Sequence, residues 1–327
     1  MTESHPASNP APAIVSVSQL VKRYGSLVAL DHFDLNIRAG EIFGLLGPNG
    51  SGKTTAINCM LALLTYDKGE IQLFGETMEP DRIDLKRRIG VVPQEVAVFN
   101  ELTVRENIDC FCALYVSDRD RRRELVEEAI AFVGLEDYAA FRPSKLSGGL
   151  KRRLNIACGI AHKPDLIFFD EPTVAVDPQS RNAILEGIVR LRDEGATVVY
   201  TSHYMEEVER ICTRLMIMDG GRVLAQGTPD ELKRGITMGE RISVEVAGEA
   251  AVPSGLLDRL RGREHVLDAS FDAAARTITV TCEASPHNLV DVLHALQEAR
   301  LPLGRVYSEP PTLNDVFLEI TGRELRD

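Results

Sequence analysis

Gly47-Pro48-Asn49-Gly50-Ser51-Gly52-Lys53-Thr54 has the spacing G-x-x-x-x-G-K-[ST], and its residue types suit a triphosphate. Backbone N–H groups must approach phosphate oxygens closely, and glycine permits both the approach and unusual φ angles. A helix starting at Lys53 adds its dipole and its unpaired N–H groups. Lys53 is placed to reach the β- and γ-phosphates and the Thr54 hydroxyl to ligate Mg2+, with Thr55 completing the nucleotide-binding run. A second chemical pair, Asp170 and Glu171, ends the apolar run Leu166-Ile167-Phe168-Phe169. Ligands of a parallel sheet sit at the carboxyl ends of its strands. Successive strand residues face opposite ways, so two acids can take two roles. Asp170 suits the magnesium shell and Glu171 the polarising of an attacking water. Alone, an Asp-Glu pair before Pro172 reads as a helix cap; downstream of a phosphate loop it reads as catalytic.

The elements that must position these groups follow from periodicity. Alternation over 14–24 and 28–37 predicts two strands around Gly25-Ser26, and 41–46 a buried strand running into the phosphate loop. Helices are expected over 53–64, from the Thr103/Glu106 capping pair to 115, over 118–133, from Ser147 to before Pro164, and over 179–194. Strands are expected at 166–169 and 197–200, and a hairpin over 215–225 around Asp219-Gly220-Gly221. No strand is assigned between Leu64 and Thr103. Strands alternating with helices imply a mainly parallel sheet with helices on its faces. Thr228-Pro229-Asp230-Glu231 opens a further helix. After Gly235 the order becomes strand 242–246, helix 254–261, strands 266–271 and 277–281, helix 287–299 and strand 305–307, a β-α-β-β-α-β ferredoxin-like order. A last helix is expected over 313–320. The expected division is a disordered tail over 1–13, a nucleotide-binding domain over 14–235 and a small α+β domain over 240–327.

Composition bounds the function. The 327 residues suggest about two domains. A formal charge of −12 argues against nucleic acid as a partner. No run approaches the ~18 apolar residues of a membrane span. The first 21 residues hold no Lys or Arg, so no secretory signal is read there. Six scattered cysteines without a two-spacer pattern are expected as free thiols. The basic run Arg119–Arg123 reads as a solvated helix start, with contact to anionic headgroups as the sharper alternative.

Leu146-Ser147-Gly148-Gly149-Leu150 opens the helix carrying Lys151, Arg152 and Arg153, and by itself is a serine cap with glycines. Lying between the phosphate loop and the acid pair, it makes residues 14–235 resemble the ATP-binding-cassette (ABC) transporter ATPases. That resemblance implies a P-loop ABC domain with an N-terminal antiparallel β subdomain and a helical signature subdomain, ATP and Mg2+ as ligands, and ATP hydrolysis. Residue by residue it implies that Tyr24 stacks on adenine and that Gln94 touches Mg2+ and the water. Ser147, Gly148 and Gly149 would contact the γ-phosphate held by the other protomer, Asp177 would lie in the dimer-contact loop, and His203 would be the switch histidine at the γ-phosphate. The implied partners are a second cassette, identical or paired, and multi-span membrane permease subunits, at the cytoplasmic face of the membrane. Pro311-Thr312-Leu313-Asn314-Asp315-Val316-Phe317 and the residues after it resemble the tail of cassettes serving bacterial exporters of drugs, antibiotics and lipids.

Two departures stand out. Leu150 replaces the usual glutamine and is expected to tune rate or packing; Ala175-Val176 replace the frequent Gly and Leu. A soluble ABC protein acting on ribosomes or DNA is the alternative. It is disfavoured by the acidic charge and by the lack of tandem cassettes or long coiled-coil insertions. A P-loop kinase or GTPase is disfavoured by the signature, by His203 and by the missing guanine motif.

Overall fold

The computed structural model describes residues 13–248 and 251–322. The tail expected over 1–13 lies outside these residues except for Ala13, which opens the first strand. The chain forms two units, dividing at Pro229–Asp230.

In the first unit, β1 (Ala13–Tyr24) and β2 (Leu27–Arg38) pair antiparallel around Gly25, whose φ of +61° suits the tight turn. β3 (Ile42–Leu46) is buried along its whole length and leads into α1 (Lys53–Met60). The helix expected to reach Leu64 stops at Met60. Ala62 takes a φ of +52°, and the N–H groups of Leu63 and Leu64 both turn back to the Asn58 carbonyl. β4 (Lys68–Leu73), β5 (Glu76–Thr77), the single turn α2 (Ile83–Lys86) and β6 (Ile89–Val92) occupy the stretch where no strand is assigned from sequence. They are short, and only their partners define them: β4 pairs with β1, and β6 with a strand more than seventy residues away.

α3 (Val104–Cys112) starts at the expected Thr103/Glu106 capping box, and α4 (Arg119–Val133) ends at Gly134 with φ +65°. The Arg119–Arg123 run is largely paired on its own surface: Arg121 with Glu124, Arg122 with Asp109 and Arg123 with Asp120. α5 (Gly148–Ile160), β7 (Leu166–Asp170), α6 (Pro178–Asp193), β8 (Thr197–Ser202), α7 (Met205–Ile211), β9 (Arg214–Asp219) and β10 (Arg222–Gly227) complete the unit.

Two sheets result. One is antiparallel, in the order β2-β1-β4-β5; the other runs β10-β9-β3-β8-β7-β6, parallel apart from the β9–β10 hairpin. A single core holds Val15, Phe33 and Ile37 of the first sheet, Phe43, Phe168 and Val199 of the second, and Ala56 and Met60 of α1. At about 1.5–3 kcal/mol for each fully buried large apolar side chain, this core clamps the helix behind the phosphate loop from both sides. A separate cluster of Ile108, Leu125, Ile130, Leu154 and Ala157 joins α3, α4 and α5 into a helical layer.

In the second unit, α8 (Pro229–Arg234) is followed by β11 (Met238–Val246), α9 (Leu256–Arg261), β12 (Val266–Asp272), β13 (Thr277–Glu283), α10 (Asn288–Glu298), β14 (Leu303–Glu309) and α11 (Leu313–Thr321). α9 starts two residues later than expected because Gly255 has φ +76°. Its sheet, β12-β13-β11-β14, is wholly antiparallel, the ferredoxin-like arrangement expected from the element order. The six cysteines are free thiols. Among the described residues no helix is long and apolar enough to cross a membrane.

Candidate functional site

Hydrogen-bond register brings the chemical groups together. Leu46, the last residue of β3, lies opposite Ser202 on β8 and Ile217 on β9, and Asp170 at the end of β7 lies opposite Thr201 on β8. The phosphate loop, the acid pair and His203 all leave the carboxyl edge of adjacent parallel strands, where such sheets bind ligands.

Gly52 caps α1 with φ +105°, and a Cβ there would stand 2.7 Å from the Ala29 carbonyl oxygen, so only glycine fits. Lys53 is 5% exposed. Its Nζ donates to the carbonyls of Gly47 (2.8 Å) and Pro48 (3.2 Å) and lies 3.7 Å from Glu171 Oε1. Burial pushes the Lys53 pKa down, while the Glu171 and Asp170 carboxylates pull it back up. Thr54 Oγ1 donates to Asp170 Oδ2 at 3.1 Å. Thr201 Oγ1 donates to Asp170 Oδ1 at 2.7 Å and accepts the Glu171 backbone N–H at 2.9 Å. Glu171 has φ +47°, a left-handed conformation costing roughly 1–3 kcal/mol in a non-glycine residue, and the Thr201 bond helps to hold it. Gln94 Nε2 donates to Glu171 Oε2 at 3.1 Å, and His203 Nδ1 lies 3.5 Å from Glu171 Oε1. Lys53, Thr54, Gln94, Asp170, Glu171 and His203 thus form one connected cluster.

The residues behind this cluster carry no motif. Pro93 O accepts Arg152 Nη1 (3.1 Å) and Asn155 Nδ2 (3.2 Å), and Asn155 Oδ1 accepts the Ala97 N–H (3.0 Å). Both side chains come from α5, so the helix that Ser147 opens also grips the loop carrying Gln94. Burial lowers the Arg152 pKa. Thr201, Arg152 and Asn155 could not be singled out from sequence, because cross-strand register and helix packing decide their contacts.

The signature residues form a second cluster. Ser147 Oγ caps α5 by accepting the Leu150 N–H at 3.3 Å, and Asp177 Oδ1 caps α6 by accepting the Ser180 N–H at 3.0 Å. The bonds from Ser180 hold the Asp177 carboxyl below its ordinary pKa. A Cβ on Gly149 would meet Ser180 Oγ at 2.6 Å and Asp177 Oδ2 at 3.3 Å, so the signature turn and the Asp177 loop share one tight contact. The Leu150 side chain packs against the helical core. Among the described residues no hydrogen bond or ion pair joins Ser147, Gly148 or Gly149 to the phosphate loop. Tyr24, at the end of β1, is exposed, with Lys22 Nζ 5.0 Å from its ring centroid.

This contact makes a prediction of unusual sign. Alanine normally stabilises a helix relative to glycine, yet Gly149→Ala should destabilise the protein by about 1–3 kcal/mol through overpacking against Ser180. Urea denaturation measures it, and a variant as stable as the parent would refute the close approach.

The donor set fits Mg2+ held with a triphosphate. A hydroxyl (Thr54), one carboxylate (Asp170) and an amide (Gln94) match an ion that takes few protein ligands and completes its shell with phosphate and water. Ser51 Oγ and His203 Nδ1 are buried without a hydrogen-bond partner in the protein, as suits groups that bind a polar ligand.

The antiparallel sheet, the helical layer and the phosphate cluster together define a P-loop ATPase of the ATP-binding-cassette class, which binds ATP with Mg2+ and hydrolyses it. Comparison with known proteins agrees. Residues 30–174 match the family described as ABC transporter, and residues 227–321 match the C-terminal domain of DrrA1-3-like ATP-binding proteins. The linearmycin resistance ATP-binding protein LnrL of Bacillus subtilis is 35% identical over 314 residues, 96% of this chain and 100% of that protein. The Nod factor export ATP-binding protein I of Ralstonia nicotianae is 38% identical over 318 residues, 96% of this chain and 95% of that protein. The dimeric, post-hydrolysis cassette MJ0796 bound to ADP and phosphate superposes with a TM-score of 0.60 at 28% identity, covering 65% of this chain and 98% of that one. The chain belongs to the ABC transporter family, as an ATP-binding and ATP-hydrolysing subunit. Cassettes of this family work as dimers with membrane permease subunits.

Proposed function

We propose that this chain is one of two cassettes that close head to tail over two ATP molecules and so drive efflux of a drug, antibiotic or lipid-like cargo through separate membrane subunits. Each site is then composite. One chain supplies the phosphate loop (Gly47–Thr55), Tyr24 beneath the adenine, Gln94, Asp170, Glu171 and His203; its partner supplies Ser147, Gly148, Gly149 and Asp177. The observation that carries this reading is the separation of the two clusters. Ser147 and Gly148 are exposed at the start of α5, and the neighbouring Gly149 packs on Ser180 and Asp177; among the described residues no hydrogen bond or ion pair joins any of the three to Lys53.

Within one site Glu171 takes a proton from the attacking water; the Gln94 hydrogen bond orients it, and Lys53 and His203 lie beside its other oxygen. Lys53 binds the β- and γ-phosphates, and His203 holds the terminal phosphate. Thr54, Gln94 and Asp170 would hold Mg2+, which when bound neutralises phosphate charge. ATP favours the closed pair because it bridges both chains, and loss of the γ-phosphate removes the bridge, so hydrolysis shifts the population to the open pair. α5 grips the Gln94 loop, and Val96, Phe99, Leu114 and Phe141 are exposed around α3. These features support a permease-facing surface there, at the cytoplasmic face of the membrane.

The experiment is complementation between two dead variants. Lys53→Ala and Ser147→Arg chains should each be inactive, and mixing them should restore turnover, because the mixed pair contains one site with both halves intact. No recovery on mixing, with pairing verified by cross-linking, would overturn the composite site.

A further inference from the structure

Glu207, on α7, is 3% exposed and belongs to no motif. Its Oε2 accepts three hydroxyl hydrogen bonds: Tyr200 at 2.6 Å, Thr173 at 2.8 Å and Ser202 at 3.0 Å. Its Oε1 lies 3.3 Å from Arg181 Nε. Thr173, Tyr200 and Ser202 are themselves buried. The Tyr200 phenol is held well above its ordinary pKa by burial and by this carboxylate, so it stays a donor. A buried carboxylate costs several kcal/mol unless it is compensated, and here Oε2 collects three hydroxyl donors while Oε1 has no hydrogen bond and faces the Arg181 guanidinium.

The three hydroxyl donors come from two segments, and Arg181, an ion-pair neighbour without a hydrogen bond to Glu207, comes from a third. Thr173 lies two residues beyond Glu171, in the stretch leading to Asp177. Arg181 lies in the first turn of α6, the helix that Asp177 caps, and its N–H is bonded to the Asp177 carbonyl. Tyr200 and Ser202 lie on β8, immediately before His203. Ser202 Oγ, which donates to Glu207, also accepts the Tyr204 N–H at 2.9 Å and so pins the backbone on both sides of His203. The Arg181 guanidinium sits 4.6 Å from the Tyr204 ring centroid, and that ring lies 4.1 Å from the His203 ring. The loop that holds the terminal phosphate and the loop that meets the partner chain are thus fastened to one side chain.

We propose that Glu207 is a positioning residue that locks His203 and the Asp177 loop into a single unit, so that the phosphate contact and the partner contact are made and broken together. This rests on the roles given above to His203 and Asp177. Glu207 touches no reacting atom; it acts through Ser202, Thr173 and Arg181. A displacement of about 1 Å at a catalytic group is enough to cost about 100-fold in rate.

The test compares kcat, KM and unfolding midpoint for Glu207→Ala, Glu207→Gln, His203→Ala and the double variant Glu207→Ala/His203→Ala. Glu207→Ala should lower kcat about 100-fold with little change in KM. Glu207→Gln keeps a carbonyl oxygen for the hydroxyls and should recover most of the rate. The double variant should be no slower than His203→Ala, because the two changes remove one function. If Glu207→Ala does not fold, Ser202→Ala and Thr173→Val each remove one strut and should show the same non-additivity with His203→Ala. In a Glu171→Gln background, Glu207→Ala should also weaken self-association at saturating Mg–ATP. Native turnover in Glu207→Ala, or losses that simply multiply with His203→Ala, would overturn the proposal while leaving the site reading intact. Native turnover in His203→Ala would instead overturn the site reading, and this proposal with it.

Discussion

Glu171→Gln should bind Mg–ATP about as tightly as the parent while hydrolysis falls by roughly 10²–10⁴-fold, the range for loss of a general base. Glutamine matches the size of Glu171 and can keep most of its neighbours: the carbonyl oxygen can still accept from Gln94, and the backbone N–H still reaches Thr201. What disappears is an anion 3.7 Å from Lys53 Nζ and 3.5 Å from His203 Nδ1, with the basicity to take a proton from water. The strained backbone, at φ +47°, is shared by both residues and does not distinguish them. Equilibrium binding of a fluorescent nucleotide beside a single-turnover phosphate assay separates the two effects. Unchanged turnover would take Glu171 out of the base role.

Lys53→Ala should act on the other quantity. Hydrogen bonds to a charged group contribute about 1.5–3 kcal/mol, so nucleotide affinity should fall about 10- to 100-fold before any effect on chemistry. The neighbourhood makes the loss sharper. Lys53 is the buried cation beside Glu171, and its removal leaves the Asp170 and Glu171 carboxylates to face the phosphates with less compensating charge. Nucleotide titration by calorimetry measures it directly. Tight ATP binding by this variant would contradict the phosphate-loop assignment.

The contrast between these two residues also separates what could be read along the chain from what could not. Lys53 announces itself, because phosphate binding by backbone groups demands glycines at fixed offsets and a helix start, all within eight consecutive residues. Glu171 is nearly as plain, since an apolar strand ending in two acids is a local pattern. The Thr103 capping box, the Gly134 helix stop and the β-α-β-β-α-β order of the second unit are local as well, and the structure has each of them. β4 and β6 are not legible in the sequence for the opposite reason. Lys68–Leu73 and Ile89–Val92 are too short for their own periodicity to speak, and become strands only by pairing with β1 and β7. The helix end at Met60 turned on a backbone twist at Ala62 that an alanine does not advertise.

The same line runs through the site. Residue type and spacing determined that this protein holds a triphosphate, hydrolyses it and carries a second glycine motif, because the phosphate loop, the acid pair and the glycine turn are each written in a few consecutive residues. Tertiary structure alone decided that Thr201 bridges Asp170 and Glu171, that Arg152 and Asn155 grip the Gln94 loop, that Gly149 packs closely on Ser180, and that Glu207 joins the Thr173 hydroxyl to those of Tyr200 and Ser202. The physical reason is range. A phosphate loop is built by local backbone geometry, whereas a buried polar group finds its partners only after register and packing have removed water and left those atoms as the ones within reach.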